Sequence, residues 1–149
     1  MSKFSCTCGH VIYDQADYLP YKAEVLKDQD HEAFFSSVAE ALTEYLAGVR
    51  SGDLAEWQSK WPFLRGKADE TVLWSVLGWF WRKFNVDVYE CEKCGRLWVQ
   101  EGTESQRFVP FVPEEPLSGR VLPSEFFRAG DPPKAVVVEH DTAADRPLE

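Results

Sequence analysis

Two stretches decide the fold: residues 4–14, FSCTCGHVIYD, and residues 89–99, YECEKCGRLWV. Each places two cysteines in a turn-length segment followed by glycine, with strand-forming residues on both sides. The pairs use all four cysteines of the chain, and 82 residues lie between Cys8 and Cys91. A CxxC turn followed by glycine lets two sulfurs approach one ion at ~2.3 Å while backbone amides donate to the thiolates. Two such turns in one chain point to a shared ion, even across so long a spacer.

At this point the chain resembles the zinc ribbon, in which cysteine-bearing turns of neighbouring hairpins clamp a tetrahedral zinc. The resemblance covers residues 3–13 and 86–100, and it implies Cys6 and Cys8 as the first knuckle and Cys91 and Cys94 as the second. The chain departs from the ribbon pattern in two ways. Its first pair is CxC, which leaves His10 as an alternative ligand to Cys6 or Cys8. Its spacer has room for a helical insertion in place of a short loop, so the ribbon would be split. Structural zinc is favoured over a redox dithiol pair, iron or coincidence. A disulfide within CTC would be strained, and four sulfurs leave no open position for water, so the ion would organise the chain without reacting.

The bulk numbers agree with a folded domain that has a core of its own. Among 149 residues, 44% are apolar and 14% aromatic, enough to bury a core without a staple. Removal of a metal should therefore leave partial structure. The formal charge is -9, and four thiolates with a dication would take it to about -11. That field repels phosphate backbones and favours a basic partner. The N-terminal MSKFSCTCGH has no apolar signal-peptide core, and VLWSVLGWFW, residues 72–81, is half a membrane span closed by charges. These features lead us to expect a soluble cytoplasmic protein with no membrane partner, whose paired cysteines are ligands rather than disulfides.

Residues 2–13 read as two short strands around CTCG, and YKAEVL after Pro20 as another extended piece. From 31 to 49, Phe34, Phe35, Val38, Ala39, Leu42, Tyr45, Leu46 and Val49 recur at helical spacing, with Asp28 or Asp30 as the expected cap. SGDLAEWQSKWP predicts a short helix, Asp53 and Glu56 forming a capping box and Trp57 stacking on Trp61 before Pro62 ends it. Residues 70–84 predict a third helix. Val72, Leu73, Val76, Leu77, Phe80 and Phe84 form one stripe and Trp74 and Trp81 a second, so it should be sandwiched or present a face to another protein. VDVYEC and RLWVQE read as a hairpin carrying the second pair, and QRFVPFVPEE as a further strand that Pro110 confines to an edge or bulge. The fold expected is α+β: a split zinc ribbon with an insertion of two or three helices. Residues 1–113 form one domain, and 114–149 an irregular C-terminal arm with a short helix at PSEFF, a strand at AVVVE and a frayed tail.

Catalytic patterns are scarce. His10, His31 and His140 match no nucleophile or metalloprotease spacing, and His31 reads as a polar helix-start residue. Asp14, Asp17, Asp28, Asp30 and Glu32 offer carboxylates for an enzyme or a second metal, although turn and cap roles account for them more simply. A nucleic-acid surface would need Lys60, Arg65, Lys67, Arg82, Lys83, Lys93 and Arg96 on one face with Trp98 for stacking, against an acidic chain without a basic run. Six tryptophans, at least three of them expected in the core, favour a protein partner instead. In size and character the chain is also similar to small acidic immunity proteins by which bacteria neutralise toxins. That resemblance implies an inhibitor or adaptor. The oligomeric state stays open, since a domain-swapped dimer would equally join the two pairs.

Overall fold

A computed structural model describes residues 3–115 and 119–123. The expected PSEFF helix, AVVVE strand and frayed tail lie outside the described residues, as does His140.

The architecture is α+β, with two small antiparallel sheets and a helical insertion between the first two strands of the second sheet. β1 (Lys3–Ser5) pairs with β2 (Val11–Tyr13), Phe4 opposite Ile12, and the CTCG turn lies between them. The second sheet contains β3 (Lys22–Leu26), β4 (Asn85–Glu90), β5 (Leu97–Gln100) and β6 (Phe108–Phe111), side by side in that order. β4 and β5 are the expected hairpin around the second cysteine pair, with Tyr89 opposite Trp98. β6 is an edge strand, where Pro110 lacks a donor without breaking an interior ladder.

Helix α1 (His31–Ser51) begins after a 3-10 turn at Asp28–Asp30. Neither Asp30 at the cap position nor Lys27 before the turn makes a side-chain capping bond, which corrects the expected role of Asp28 and Asp30. The 3-10 turn is the reason: it leads the backbone into the helix already coiled, so the extended cap geometry that aims an aspartate at the first free amides never forms. α2 (Ala55–Lys60) has its start tied instead by Asp53, whose carboxylate accepts from the Ala55 amide at 2.9 Å. A short 3-10 turn at Pro62–Leu64 then leads to α3 (Asp69–Phe84), which passes into β4 with no residue between.

α1 and α3 lie antiparallel. Phe34 near the start of α1 packs on Trp81 and Phe84 near the end of α3, while Tyr45 donates to Asp69 at the start of α3 at 2.5 Å. α2 closes this pair. Trp57 stacks on Trp61 at 5.9 Å and donates its indole N–H to the Ala41 carbonyl at 3.1 Å. One core thus consists of Ala41, Tyr45, Trp57, Trp61, Leu64, Val72 and Val76. A separate core gathers Cys6, Ile12, Tyr89, Cys91 and Trp98, with Phe4, Tyr21 and Phe108 packed around it.

α3 is not sandwiched, and part of its apolar surface faces outward. The buried stripe is narrower than periodicity suggests: Val72 and Val76 are sealed, whereas Leu73, Leu77, Trp74 and Trp79 are exposed. Three tryptophans, Trp57, Trp61 and Trp98, belong to the cores. Among the described residues, no helix is long and apolar enough to cross a membrane.

Candidate metal centre

The two cysteine turns have one construction at two lengths. In the second turn, the Cys91 amide donates to the Arg96 carbonyl at 2.8 Å and the Gly95 amide to the Cys91 carbonyl at 2.8 Å. In the first, the Cys6 amide donates to the His10 carbonyl at 2.8 Å and the Gly9 amide to the Cys6 carbonyl at 2.9 Å. The CxC turn closes the same loop with one residue fewer. Both glycines sit in the left-handed region, Gly9 at φ 84° and Gly95 at φ 68°, where a β-carbon would strain the backbone.

β1 and β2 lie over the β4–β5 hairpin through aromatic contacts. Phe4 meets Tyr89 at 5.4 Å, Trp98 at 5.6 Å and Phe108, stacked, at 5.1 Å. This packing brings the turns together within one chain. The sulfurs approach crosswise, Cys6 to Cys94 at 3.6 Å and Cys8 to Cys91 at 3.6 Å, and all four lie within 4.8 Å of one another. A tetrahedron with metal–sulfur bonds of ~2.3 Å has edges of roughly 3.8 Å, so the four sulfurs can hold a metal ion. They are too far apart for disulfides, and all four cysteines are free. Among the described residues, this is the one group of three or more histidine, cysteine or carboxylate ligands close enough to share an ion.

The surroundings favour thiolate at Cys6 and oppose it at Cys91. Burial works to raise the Cys6 thiol, yet hydrogen bonding from the Cys8 amide and the Arg96 guanidinium, with the Trp98 indole N–H close by, prevails and brings it down to about 5. The Trp98 indole nitrogen is buried with no partner at hydrogen-bond geometry, so its influence on Cys6 is that of a nearby donor rather than a formed bond. Cys91 behaves oppositely: burial pushes it up to about 12 against the amides of Lys93 and Cys94. A dication among the four sulfurs would remove this opposition by favouring thiolate at every position. Arg96 already supplies positive charge, its guanidinium 3.6 Å from Cys6 Sγ and 3.8 Å from Cys94 Sγ and bonded to the Thr7 hydroxyl.

His10 is not part of the sulfur group; its Nε2 lies 3.8 Å from the Glu92 carboxylate. His31 is the first residue of α1 and packs edge-on to Phe35 at 4.6 Å. The acidic residues of 14–32 do not converge. Asp14 accepts from Lys22 at 3.2 Å and from the Tyr89 phenol at 2.8 Å, and Asp30 pairs with Lys27 at 3.9 Å. Asp17 and Glu32 are exposed. Trp98, expected as a stacking platform for bases, faces inward from β5 and is closed off by Phe4. Period-two alternation places it on the cysteine side of the sheet, which is the buried side.

Two participants escape sequence reading. Arg96 reads as a loose basic residue, although its position two after Cys94 is the available signal. Glu90 reads as the polar end of a strand. It is almost wholly buried, and its carboxylate accepts from the Val121 and Leu122 amides at 3.0 and 3.1 Å, tying the segment after β6 beside the second knuckle.

A family model described as Domain of unknown function (DUF8617) matches residues 2–115, which takes in both cysteine turns, the helical insertion and β6. The chain belongs to this family. No curated protein and no solved structure matches it.

Proposed function

We propose that Cys6, Cys8, Cys91 and Cys94 hold one structural zinc ion and that the protein is a non-catalytic binder of another protein, of the inhibitor, immunity or adaptor type. The observation that supports the metal reading is the crossed approach of two remote thiol pairs to tetrahedral spacing. All-sulfur ligation favours zinc or iron over harder ions, and a borderline-soft ion without redox chemistry suits a site whose role is to join two sheets. Zinc bound there would fix β1 and β2 to the β4–β5 hairpin.

The binding reading is supported by the outward face of α3, where Trp74 is 67% and Trp79 49% exposed beside Leu73 and Leu77. Large exposed aromatics grouped on one helix are the material of interface hot spots. Nucleic acid is the weaker alternative: Lys60 is paired with Glu44 at 2.9 Å, Arg96 is committed to the sulfurs, and Trp98 is inaccessible. An enzyme using Asp14, Asp17, Asp28 or Asp30 is likewise weaker, because their carboxylates do not share a site.

Metal analysis of protein purified from its native cell should return one zinc per chain; iron, or no metal, would overturn the zinc assignment. Affinity capture with wild-type and Trp74→Ala baits tests the binding reading. A protein retained by the wild type at about 1 M salt, where charge attraction is screened, and lost with the variant supports it. Recovery of nucleic acid in its place, released by salt, would overturn it.

A further inference from the structure

The helical region has a cavity that the metal centre does not use. It is an open-sided hollow of about 380 Å³, lined by Glu40 and Glu44 of α1, Lys60 of α2, Trp61 just after α2, Phe63 of the following turn, and Trp79 of α3. Trp61, Phe63 and Trp79 form a triangle of rings, with centroids 5.9, 6.0 and 6.0 Å apart. Trp61 is buried and anchored by its stack on Trp57, whereas Phe63 and Trp79 are about half exposed. Leaving two large rings open to water forgoes burial energy that an occupant would recover.

The rim selects the occupant's charge. Glu40 and Glu44 stand one helical turn apart at its edge, and Glu44 accepts from Lys60 Nζ through both oxygens at 2.9 Å. Glu40 is exposed and has no ion-pair partner among the described residues. Ring faces carry negative electrostatic potential, and so do the carboxylates. A neutral apolar ligand would strip water from Glu40 without replacing it, and an anion would meet Glu40 while Lys60, the cation of the lining, is already paired with Glu44. A guanidinium answers both requirements: it is planar and weakly hydrated, stacks on aromatic faces, and offers paired donors to a carboxylate.

We propose that this cavity receives the side chain of an arginine from a basic partner protein, with the guanidinium against Trp79 and Phe63 and hydrogen-bonded to Glu40. The inference rests on the protein-binding reading above and specifies its anchor. A second depression, lined by Trp74, Gly78 and Trp81, shares Phe63 and Trp79 with the cavity. An arginine inserted here would therefore bring its own chain across the exposed Trp74, which a free small cation would not do. The chain's charge of -9 draws basic partners toward the molecule, and Glu40 is, among the described residues, the carboxylate left free for one at this rim.

The test is an NMR titration of the full, metal-loaded chain with a capped tetrapeptide bearing one arginine, and with the same peptide carrying citrulline or lysine. Saturable shifts are expected at the Trp61 and Trp79 indole N–H signals, with Trp98 unmoved. Citrulline should bind about tenfold more weakly, Trp79→Ala should weaken the arginine peptide about tenfold in a chain that stays folded, and Glu40→Gln about fivefold at unchanged melting temperature. Equal binding of citrulline or lysine, indifference to both substitutions, or no shift at millimolar peptide would overturn the proposal. A protein partner captured equally by wild type and by the Glu40→Gln, Trp79→Ala double variant would remove this anchor while leaving the broader binding reading intact. Failure to capture any protein would remove the broader reading, with the peptide titration still deciding the chemistry of the cavity.

Discussion

The helical region and the cysteine region solve the same problem with different means. α1, α2, α3 and the turn that follows α2 give seven buried residues to one core, including two stacked tryptophans and two sealed valines, on helices of up to 21 residues. The cysteine region rests β1 and β2, three residues each, on a hairpin of short strands, and two of its five buried residues are cysteines. Long helices bury enough apolar surface to hold themselves. Three-residue strands do not, and a sheet of two such strands is not independently stable in water. The contrast teaches where a cross-link is needed: at the joint between remote ends of the chain, not in the insertion between them.

The largest test of this contrast is Cys91→Ser. It should abolish metal binding and lower global stability by about 4 kcal/mol, the scale on which a cross-link restrains an open loop of this length. Calorimetry should show a fall in Tm of roughly 10 °C or more. Hydrogen exchange should rise most in β1 and β2 and least in α1 and α3. Unchanged zinc content and stability would break the four-sulfur assignment. Val76→Ala probes the other side. Val76 is fully buried, and the loss of its methyl groups together with the cavity left behind should cost about 2 kcal/mol. Metal content should not change, and a variant that lost zinc would show that the two regions are not separable in this way.

Tyr89→Phe sharpens the comparison at the sheet itself. Burial first, and then the hydrogen bond to Asp14, raise the Tyr89 phenol above its ordinary value. A group whose folded pKa is raised contributes stability that is fully present below its unfolded value near 10 and is lost as pH rises through the folded one. Denaturant titrations should therefore show wild-type stability falling above about pH 10, with a shallower fall in Tyr89→Phe. At neutral pH the substitution should cost about 1 kcal/mol through the lost bond to a carboxylate. Smallest of all, Trp74→Ala should change stability by less than about 0.5 kcal/mol, because its side chain is mostly in water. A larger loss would place Trp74 in the helical core and remove it from the binding surface.

The parts of this molecule legible in its sequence are those governed by local chemistry. The strand–CTCG–strand and strand–EKCG–strand units combine turn glycines with alternating residues, and both appear as read. The Trp57–Trp61 stack follows from helical spacing alone. What spacing could not supply was the partner surface of each element. Leu73 and Leu77 fit the same stripe as Val72 and Val76, but α1 and α2 cover only the two valines. Trp98 alternates correctly, yet its burial depends on Phe4, distant in the chain. The Asp28–Asp30 turn shows a local rule displaced by another, since a helix entered through a 3-10 turn does not use its aspartates as caps. Glu90 was hidden because its partners, the Val121 and Leu122 amides, come from a segment whose irregular sequence carries no signal.

The one-residue economy of the first turn also bears on the order of events during synthesis. Cys6 and Cys8 leave the ribosome more than eighty residues ahead of Cys91, an interval on the order of ten seconds at ordinary elongation rates. Throughout that wait the early turn has only half of its sulfurs, and a pair too close to join each other without strain is open to outside oxidants and to mispairing between nascent chains. Completion of the four-sulfur group thus waits on the late turn, and the early pair spends that interval without the partners that close it.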